Sequence, residues 1–291
     1  MALHCFFVSD LHGKKSRYQS LFRAIEEQKP DALFIGGDLL PSGLHHFSEG
    51  GMDVGQDFFA YLFAKFQTLK EQNICPEVFL IPGNDDGRGD EQWFLEGENR
   101  GLWHYLPNGT TSWQGFHVIG YAYVPPTPFL LKDWEKYDVS AYIDPGCVSP
   151  EEGYHSVERT KYELRYGTIQ KDLQQLTEGV DMHKSIFLFH SPPYETLLDR
   201  AALDGKMIDY VPLDVHVGSI AIKRMIEEQQ PWLTLHGHIH ESTRLTGSWM
   251  QSLNKTIMIN AAHDGPELSL VTFNPEKPGE AQRVLVNPVH F

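Results

Sequence analysis

The sequence predicts an α/β fold, and two observations lead to that prediction. Apolar runs of strand length alternate along the chain with segments in which apolar residues recur at helical spacing. Five of the apolar runs are followed within three residues by Asp, Asn or His, residue types that bind ligands at the carboxyl edge of α/β sheets. The chain has 291 residues, and because α/β folds of this size are often undivided, we expect one domain over residues 1–291.

The first elements predict a βαβ unit. A strand at "HCFFV" precedes "SRYQSLFRAIEEQ", in which four apolar residues share one helical face, and "DALFI" follows as the next strand. Strands that are joined through a helix in this way are parallel. A second helical stretch, "GQDFFAYLFAKFQTLKEQ", leads into the strand "EVFLI".

The remaining elements continue this alternation and then change. Strands are expected at "GFHVIG", "SIFLF" and "WLTL", with helices near "ERTKYELRYGTIQKDLQQL" and at "IAIKRMIEEQQ". After Glu241, strand-like runs at 243–246, "TIMIN", "LSLVTF" and "RVLV" are joined by turn residues, which predicts an antiparallel finish. The least regular stretches, at about 39–55 and 120–156, are expected to be surface loops.

Composition excludes several classes of protein. No run approaches the ~20 apolar residues of a membrane span, so we expect no membrane partner. The start, "MALHCFFVSDLHG", lacks the pattern of a signal peptide, which predicts a cytoplasmic protein. A formal net charge of -15 opposes binding of duplex nucleic acid. Three widely spaced cysteines form no thiolate metal pattern, so any metal ligands are nitrogen and oxygen atoms.

Metal-ligand residue types follow five of the predicted strands. Taken singly, each of these endings has a structural explanation, such as a helix cap or a turn. Taken together, they indicate one common cause, a two-metal site where the carboxyl ends of the strands meet. The endings are Asp10-Leu11-His12, Gly37-Asp38, Gly83-Asn84-Asp85-Asp86, His190 and His236-Gly237-His238-Ile239-His240.

The stretch "PWLTLHGHIHE" places three histidines at alternate positions. An extended backbone sends His236, His238 and His240 to the same side, so they are either a partly solvated strand end or a set of nitrogen ligands.

In this order, the blocks resemble the signature of the calcineurin-like metallophosphoesterases over residues 10–240. The resemblance implies a four-layer αββα sandwich of two mixed sheets that carries two divalent metal ions. One ion would be held by Asp10, His12 and His240, the other by Asn84, His190 and His238, and Asp38 would bridge both. His236 matches no ligand position and is interpreted as a strand-end residue or a partner of a ligand.

The ligand types fit a phosphoester hydrolase. Imidazole, carboxylate and amide ligands without thiolate suit Mn, Fe, Zn or similar ions. Two such ions can clamp the attacking and leaving oxygens and supply hydroxide near neutral pH. The resemblance therefore implies hydrolysis of a phosphomonoester or phosphodiester by a metal-bridging hydroxide, with a small molecule or nucleotide as the substrate. The oligomeric state is left open.

One block departs from the family pattern. The family usually reads Gly-Asn-His, and its His is the proton donor to the leaving group, whereas here Asp85 follows Asn84. A carboxylate of ordinary pKa is a poor general acid at neutral pH. Three alternatives follow: an enzyme with another donor or a protonated Asp85, an enzyme restricted to good leaving groups, or a metal-binding interaction module with little or no catalysis.

Substrate contacts are predicted from three residues. Arg88 lies four residues after Asn84 and is a candidate for binding a phosphate oxygen. Tyr123 belongs to an aromatic stretch, residues 121–137, which either walls the cleft and stacks on a base or packs over the core. His263 replaces part of an Asn-Pro-Gly-Ser pattern of the family and is a candidate for the rim of the site.

Overall fold

The computed structural model describes residues 2–42 and 51–288, and in this part of the chain the strands form two six-stranded sheets and one two-stranded ribbon. The strands are β1 Cys5–Val8, β2 Ala32–Gly36, β3 Glu77–Ile81, β4 His104–Tyr105, β5 Asn108–Trp113, β6 Phe116–Tyr121, β7 Ser185–Phe189, β8 Met207–Ile208, β9 Val211–Pro212, β10 Leu233–His236, β11 Met250–Leu253, β12 Thr256–Asn260, β13 Leu268–Phe273 and β14 Gln282–Val286. The helices are α1 Lys15–Gln28, α2 Gly51–Glu71, α3 Glu91–Asn99, α4 Lys161–Tyr166, α5 Ile169–Leu176, α6 Ile220–Gln229 and α7 Ser242–Thr246.

Both large sheets are mixed. The first has the order β14-β13-β1-β2-β3-β4, in which β1 to β4 are parallel and the two C-terminal strands are antiparallel. The second has the order β11-β12-β10-β7-β6-β5, with parallel pairs in the middle and an antiparallel pair at each edge. The carboxyl ends of the central parallel strands of each sheet therefore share one edge.

The two sheets pack face to face, and helices cover their outer faces. Side chains alternate along β1: Phe6 and Val8 pack in a cluster with α1 and α2, while Cys5 and Phe7 face the second sheet. On the outer side of the second sheet, α5 packs beside α6, and Ile169 and Ile226 join its apolar core. The predicted four-layer αββα sandwich of two mixed sheets is confirmed.

One element prediction is wrong. Residues 243–246 were expected to form a strand, but they belong to the short helix α7. The Thr246 hydroxyl donates to the Ser242 carbonyl at 2.8 Å, and Gly247 ends the helix with a positive φ of 74°. A five-residue window is too short for periodicity to separate helix from strand.

The predicted irregular stretches are partly described. Residues 122–156 contain neither a helix nor a named strand, as expected, although several of their side chains are buried. Of the stretch 39–55, residues 43–50 lie outside the described residues, and α2 starts at Gly51. Within the described ranges, no helix is long and apolar enough to cross a membrane.

Candidate metal centre and adjoining cleft

Seven side chains gather where strands of both sheets end. They form two groups whose ligand atoms lie within 4.8 Å of one another, and Asp38 belongs to both groups. The first group is Asp10, His12, Asp38 and His240, and the second is Asp38, His190 and His238. Asn84, after β3, joins the second group through its Oδ1, which lies 3.1 Å from His190 Nε2.

In the first group, atoms that carry lone pairs face one another. His12 Nε2 lies 3.2 Å from His240 Nε2, which lies 3.1 Å from Asp10 Oδ1. The other ring nitrogen of His12, Nδ1, lies 3.2 Å from a carboxylate oxygen of Asp85, and because a carboxylate only accepts, Nδ1 carries the proton. In the neutral His12 ring, Nε2 therefore carries the lone pair, and this lone pair faces His240 Nε2.

The second group repeats this arrangement. His190 Nδ1 donates to the Gly36 carbonyl at 2.8 Å, so in the neutral ring Nε2 is the atom that carries the lone pair. That atom lies 3.1 Å from Asn84 Oδ1 and 3.4 Å from Asp38 Oδ2, and both of these oxygens also carry lone pairs. Three such acceptors repel one another unless a proton or a metal ion lies between them. The residues thus fit bound metal ions in both groups.

The electrostatics agree with this geometry. Burial opposes charge on His190, yet Asp38 and Asp10 raise its pKa to about 9. Burial likewise opposes charge on His12, yet Asp85, Asp38 and Asp10 raise the pKa of its imidazole to about 9. By contrast, burial and the neighbouring His190 lower the pKa of His238 to about 3. The carboxylates therefore create a strong preference for positive charge here, and His238 offers a neutral nitrogen.

The backbone is strained at the same positions. Four of the seven residues have φ in the left-handed region: 57° for Asp10, 48° for His12, 51° for Asp38 and 72° for His238. Such conformations cost roughly 1–3 kcal/mol each and cluster at functional sites. The left-handed conformation of His238 turns the chain just after β10. His238 and His240 therefore join the cluster, whereas His236 stays in the sheet.

Two glycines allow the strand ends to approach closely. Gly37 has a positive φ of 98°, and a Cβ there would strike the His190 ring. A Cβ on Gly83 would lie 2.5 Å from the backbone nitrogen of Asp38 and 2.7 Å from His190 Cε1. The Gly-Asp and Gly-Asn dipeptides therefore hold the β2 and β3 ends in contact with His190.

Asp86 fixes the loops that carry Asp38 and Asn84. This fully buried carboxyl accepts hydrogen bonds from the backbone nitrogens of Leu39, Leu40 and Gly83, at 3.1, 2.8 and 2.8 Å. Burial and the nearby charge of Asp38 raise the pKa of Asp86 to about 7. Its anchoring role was missed in the sequence, because a carboxyl that binds distant backbone groups leaves no local pattern.

Asp85 lies against the first group. Its backbone nitrogen donates to Asp38 Oδ1 at 2.8 Å. One side-chain oxygen accepts from His12 Nδ1, and the other accepts from the Ser42 hydroxyl at 2.7 Å. Both carboxylate oxygens thus act as acceptors, which is the arrangement that orients a metal-binding imidazole.

His236 is buried away from the cluster. Its Nδ1 donates to the Ser191 carbonyl at 2.9 Å, its ring stacks on Phe189, and burial lowers its pKa to about 4. This placement agrees with its interpretation as a strand-end residue.

The three predicted substrate residues lie apart from the cluster. The Arg88 guanidinium stacks on the Trp134 ring at 4.6 Å. The Tyr123 ring is also packed against Trp134, and Tyr123 is 5% exposed. His263 lies 3.0 Å from Glu267 through its Nε2. These three are not among the described residues that line the cleft beside the metal ligands, so a direct contact with substrate remains a prediction.

A cleft of about 1140 Å³ opens directly on the cluster. His12, Asp38, Asn84, His238 and His240 form one end of it. Its other walls come from three irregular segments, residues 125–131, 138–147 and 194–220, and only the first two were expected from the sequence, as one loop. The cleft is of the size that holds a small organic ligand beside the metal ligands.

Comparison with known proteins identifies the class to which this fold and site belong. The family described as Calcineurin-like phosphoesterase matches residues 3–242, and the chain belongs to that family. One crystal structure is similar at 16% identity with a TM-score of 0.61, and it covers 99% of this chain and 100% of the other. TT1561 of Thermus thermophilus is similar at 16% identity with a TM-score of 0.57 and the same coverage. No curated protein matches the sequence.

Proposed function

We propose that this protein hydrolyses a phosphoester with two divalent metal ions. One ion would be held by Asp10, His12 and His240, the other by Asn84, His190 and His238, and Asp38 would be shared by both. The observation that carries the proposal is the membership of Asp38 in both groups of converging ligand atoms. Membership in the family supports the same reaction class.

The residues of the chain hold and orient this centre. Two divalent ions supply Lewis acidity and activate water for attack at phosphorus. Asp85 fixes the tautomer of His12, so that its Nε2 is unprotonated and directed at the site. The Gly36 carbonyl does the same for His190. With both imidazoles fixed, the centre needs little rearrangement when a substrate binds.

The leaving group receives no proton from Asp85 in this arrangement. Both of its oxygens accept hydrogen bonds, so Asp85 acts as a positioning residue. We therefore expect an enzyme that favours good leaving groups. The same observation favours the second candidate, a metal-binding interaction module with little or no catalysis.

Metal content and turnover separate the two candidates. Purified protein is assayed for bound transition metal and for hydrolysis of bis-p-nitrophenyl phosphate and p-nitrophenyl phosphate with added Mn²⁺. The enzyme proposal predicts two equivalents of metal and turnover that Asp38→Ala abolishes, while Asp57→Ala, an exposed change on α2, retains both. Metal binding without turnover of either ester supports the interaction module.

A leaving-group series tests the role of Asp85. If the missing donor limits the rate, Asp85→His, measured at a Mn²⁺ concentration that saturates both proteins, raises kcat most for esters with poor leaving groups, by up to roughly 10²-fold. A uniform gain across leaving groups, or no gain, contradicts this explanation.

A further inference from the structure

The cleft is much larger than a phosphate group requires. Its volume of about 1140 Å³ lies just above the range for ligand pockets, roughly 300–1,000 Å³. Because the metal ligands form only one end, the remaining space is available to the ester groups of the substrate. The residues that line the cleft therefore indicate which ester groups fit there.

Apolar side chains dominate these walls. Residues 125–131, "PPTPFLL", line one side, and Phe129 and Leu130 are 59% and 50% exposed. Ile208 and Leu213 contribute from the segment between β7 and α6. Exposed apolar groups inside a cleft favour an apolar ligand, because binding removes both surfaces from water.

The described walls of the cleft carry carboxylates but neither Lys nor Arg. Among the described residues that line the cleft, none is Lys or Arg, and residues 43–50, "GLHHFSEG", also contain neither. Beyond the metal ligands and Asp85, the carboxylates at the wall are Asp138, Asp144, Asp214 and Glu241.

Two of these carboxylates lie close to one another. Desolvation and the charge of Asp214 both raise the pKa of Asp144, which indicates repulsion between the pair. Asp214 accepts hydrogen bonds from the Tyr194 hydroxyl at 2.6 Å and from the backbone nitrogen of His216 at 2.8 Å, and these bonds hold its carboxylate at the wall. An anionic group of a ligand in this part of the cleft would meet repulsion.

The charge at the metal end is small. The charge of two divalent ions exceeds that of Asp10, Asp38 and one hydroxide by a single unit. A phosphodiester carries one negative charge, whereas the dianion of a phosphomonoester carries a second, which the carboxylates of the described walls repel.

We propose that the substrate is a phosphodiester whose single negative charge is at the reacting phosphate, and whose ester groups are large, apolar and free of further anions. This inference rests on the proposed function, because it assigns the substrate class of the same site. It excludes nucleoside polyphosphates and oligonucleotides as good substrates.

A substrate series matched in size tests this proposal with Mn²⁺-loaded protein. The compounds are p-nitrophenyl 3,3-dimethylbutyl phosphate, its cationic isostere p-nitrophenyl phosphorylcholine, a p-nitrophenyl carboxyalkyl phosphate, p-nitrophenyl methyl phosphate and the monoester p-nitrophenyl phosphate. We expect kcat/KM for the dimethylbutyl ester to exceed that for the carboxyalkyl ester, the methyl ester and the monoester by roughly tenfold each. The cationic isostere should be at least as good as the neutral ester.

Charge variants of the cleft provide the matched control. The double variant Asp144→Asn with Asp214→Asn should raise the ratio of kcat/KM for the carboxyalkyl ester to kcat/KM for the dimethylbutyl ester by roughly fivefold to tenfold, because it removes two negative charges from the wall. Asp57→Asn removes one negative charge from the exposed face of α2 and should leave that ratio unchanged.

A binding measurement separates this inference from the proposed catalysis. Hydrolysis-resistant phosphonate monoesters with dimethylbutyl or carboxyalkyl groups are titrated into Mn²⁺-loaded protein by calorimetry, and the neutral ligand should bind roughly tenfold more tightly. If no ester is turned over, the catalytic proposal fails, and the order of phosphonate affinities still decides the ligand class. Equal or tighter binding of the carboxyalkyl phosphonate, or a preference for the monoester, would overturn the substrate assignment.

Discussion

The buried carboxyl of Asp86 is predicted to support the whole metal centre. It accepts three backbone hydrogen bonds, two from the loop after β2 and one from the loop after β3. The change Asp86→Ala removes the acceptor and leaves the nitrogens of Leu39, Leu40 and Gly83 without partners. These loops carry Asp38 and Asn84, so we expect the variant to lose both stability and metal affinity.

The size of the stability loss follows from the three backbone N–H groups that lose their acceptor. Each buried N–H without a partner costs about 1–3 kcal/mol, so the gross loss is about 3–9 kcal/mol. Removing a buried charge beside Asp38 relieves repulsion and returns part of this loss, which leaves a net destabilisation of about 2–5 kcal/mol. Urea unfolding of the metal-free protein measures this loss, because a chelator removes the contribution of metal binding to stability.

The neighbouring carboxyl is the control. Asp85 is partly exposed, and among the described residues its side chain makes no hydrogen bond to the backbone of the loop after β2, so Asp85→Ala should change the free energy of unfolding by less than about 1 kcal/mol. If Asp86→Ala were as mild as Asp85→Ala, the reasoning that Asp86 anchors both loops would be refuted.

Three further changes give distinct results. Asp85→Ala should weaken metal affinity about 10- to 100-fold in a competition titration, because the His12 imidazole loses the carboxylate that orients it. Unchanged affinity would contradict that role. Gly237→Ala would place a Cβ 2.7 Å from Asp10 Oδ2, so we expect lower metal occupancy by mass spectrometry, and full occupancy would show that Asp10 is free to shift. Lys132→Met leaves the fully buried Glu135 without its ion-pair partner and should destabilise by about 3–5 kcal/mol in urea, whereas replacing both residues with apolar ones should recover most of that loss.

The central strands and the clustering of Asp, Asn and His side chains at their ends were predictable from the sequence for the same reason. Buried parallel strands produce continuous apolar runs, such as "CFFV" and "IFLF", and the residues that follow them must meet at one edge. The order of the blocks then indicated which residues gather, and Asp10 and His240 are within hydrogen-bonding distance although 230 positions separate them.

The edges of the sheets were less predictable. The strand β5, "NGTTSW", is mostly polar and alternates between exposed and half-buried positions, so it lacks the apolar signal of a central strand. The helix α7 was mistaken for a strand because its five residues contain two threonines, which favour strands locally, whereas its actual shape depends on a left-handed Gly247.

The cleft was the part that the sequence described least. Asp144 and Asp214 lie on irregular segments 70 positions apart, and no periodic pattern relates such segments. Tyr123 was a reasonable candidate by residue type, but an aromatic side chain gains as much from packing against Trp134 as from a ligand. Tertiary packing decides between these outcomes.

Anomalous diffraction from crystals of the Mn²⁺-loaded protein tests the central claim most directly. The account predicts two peaks about 3.5–4 Å apart, with one carboxylate oxygen of Asp38 between them and three further ligands around each. A single peak, or two peaks that do not share Asp38, would contradict it.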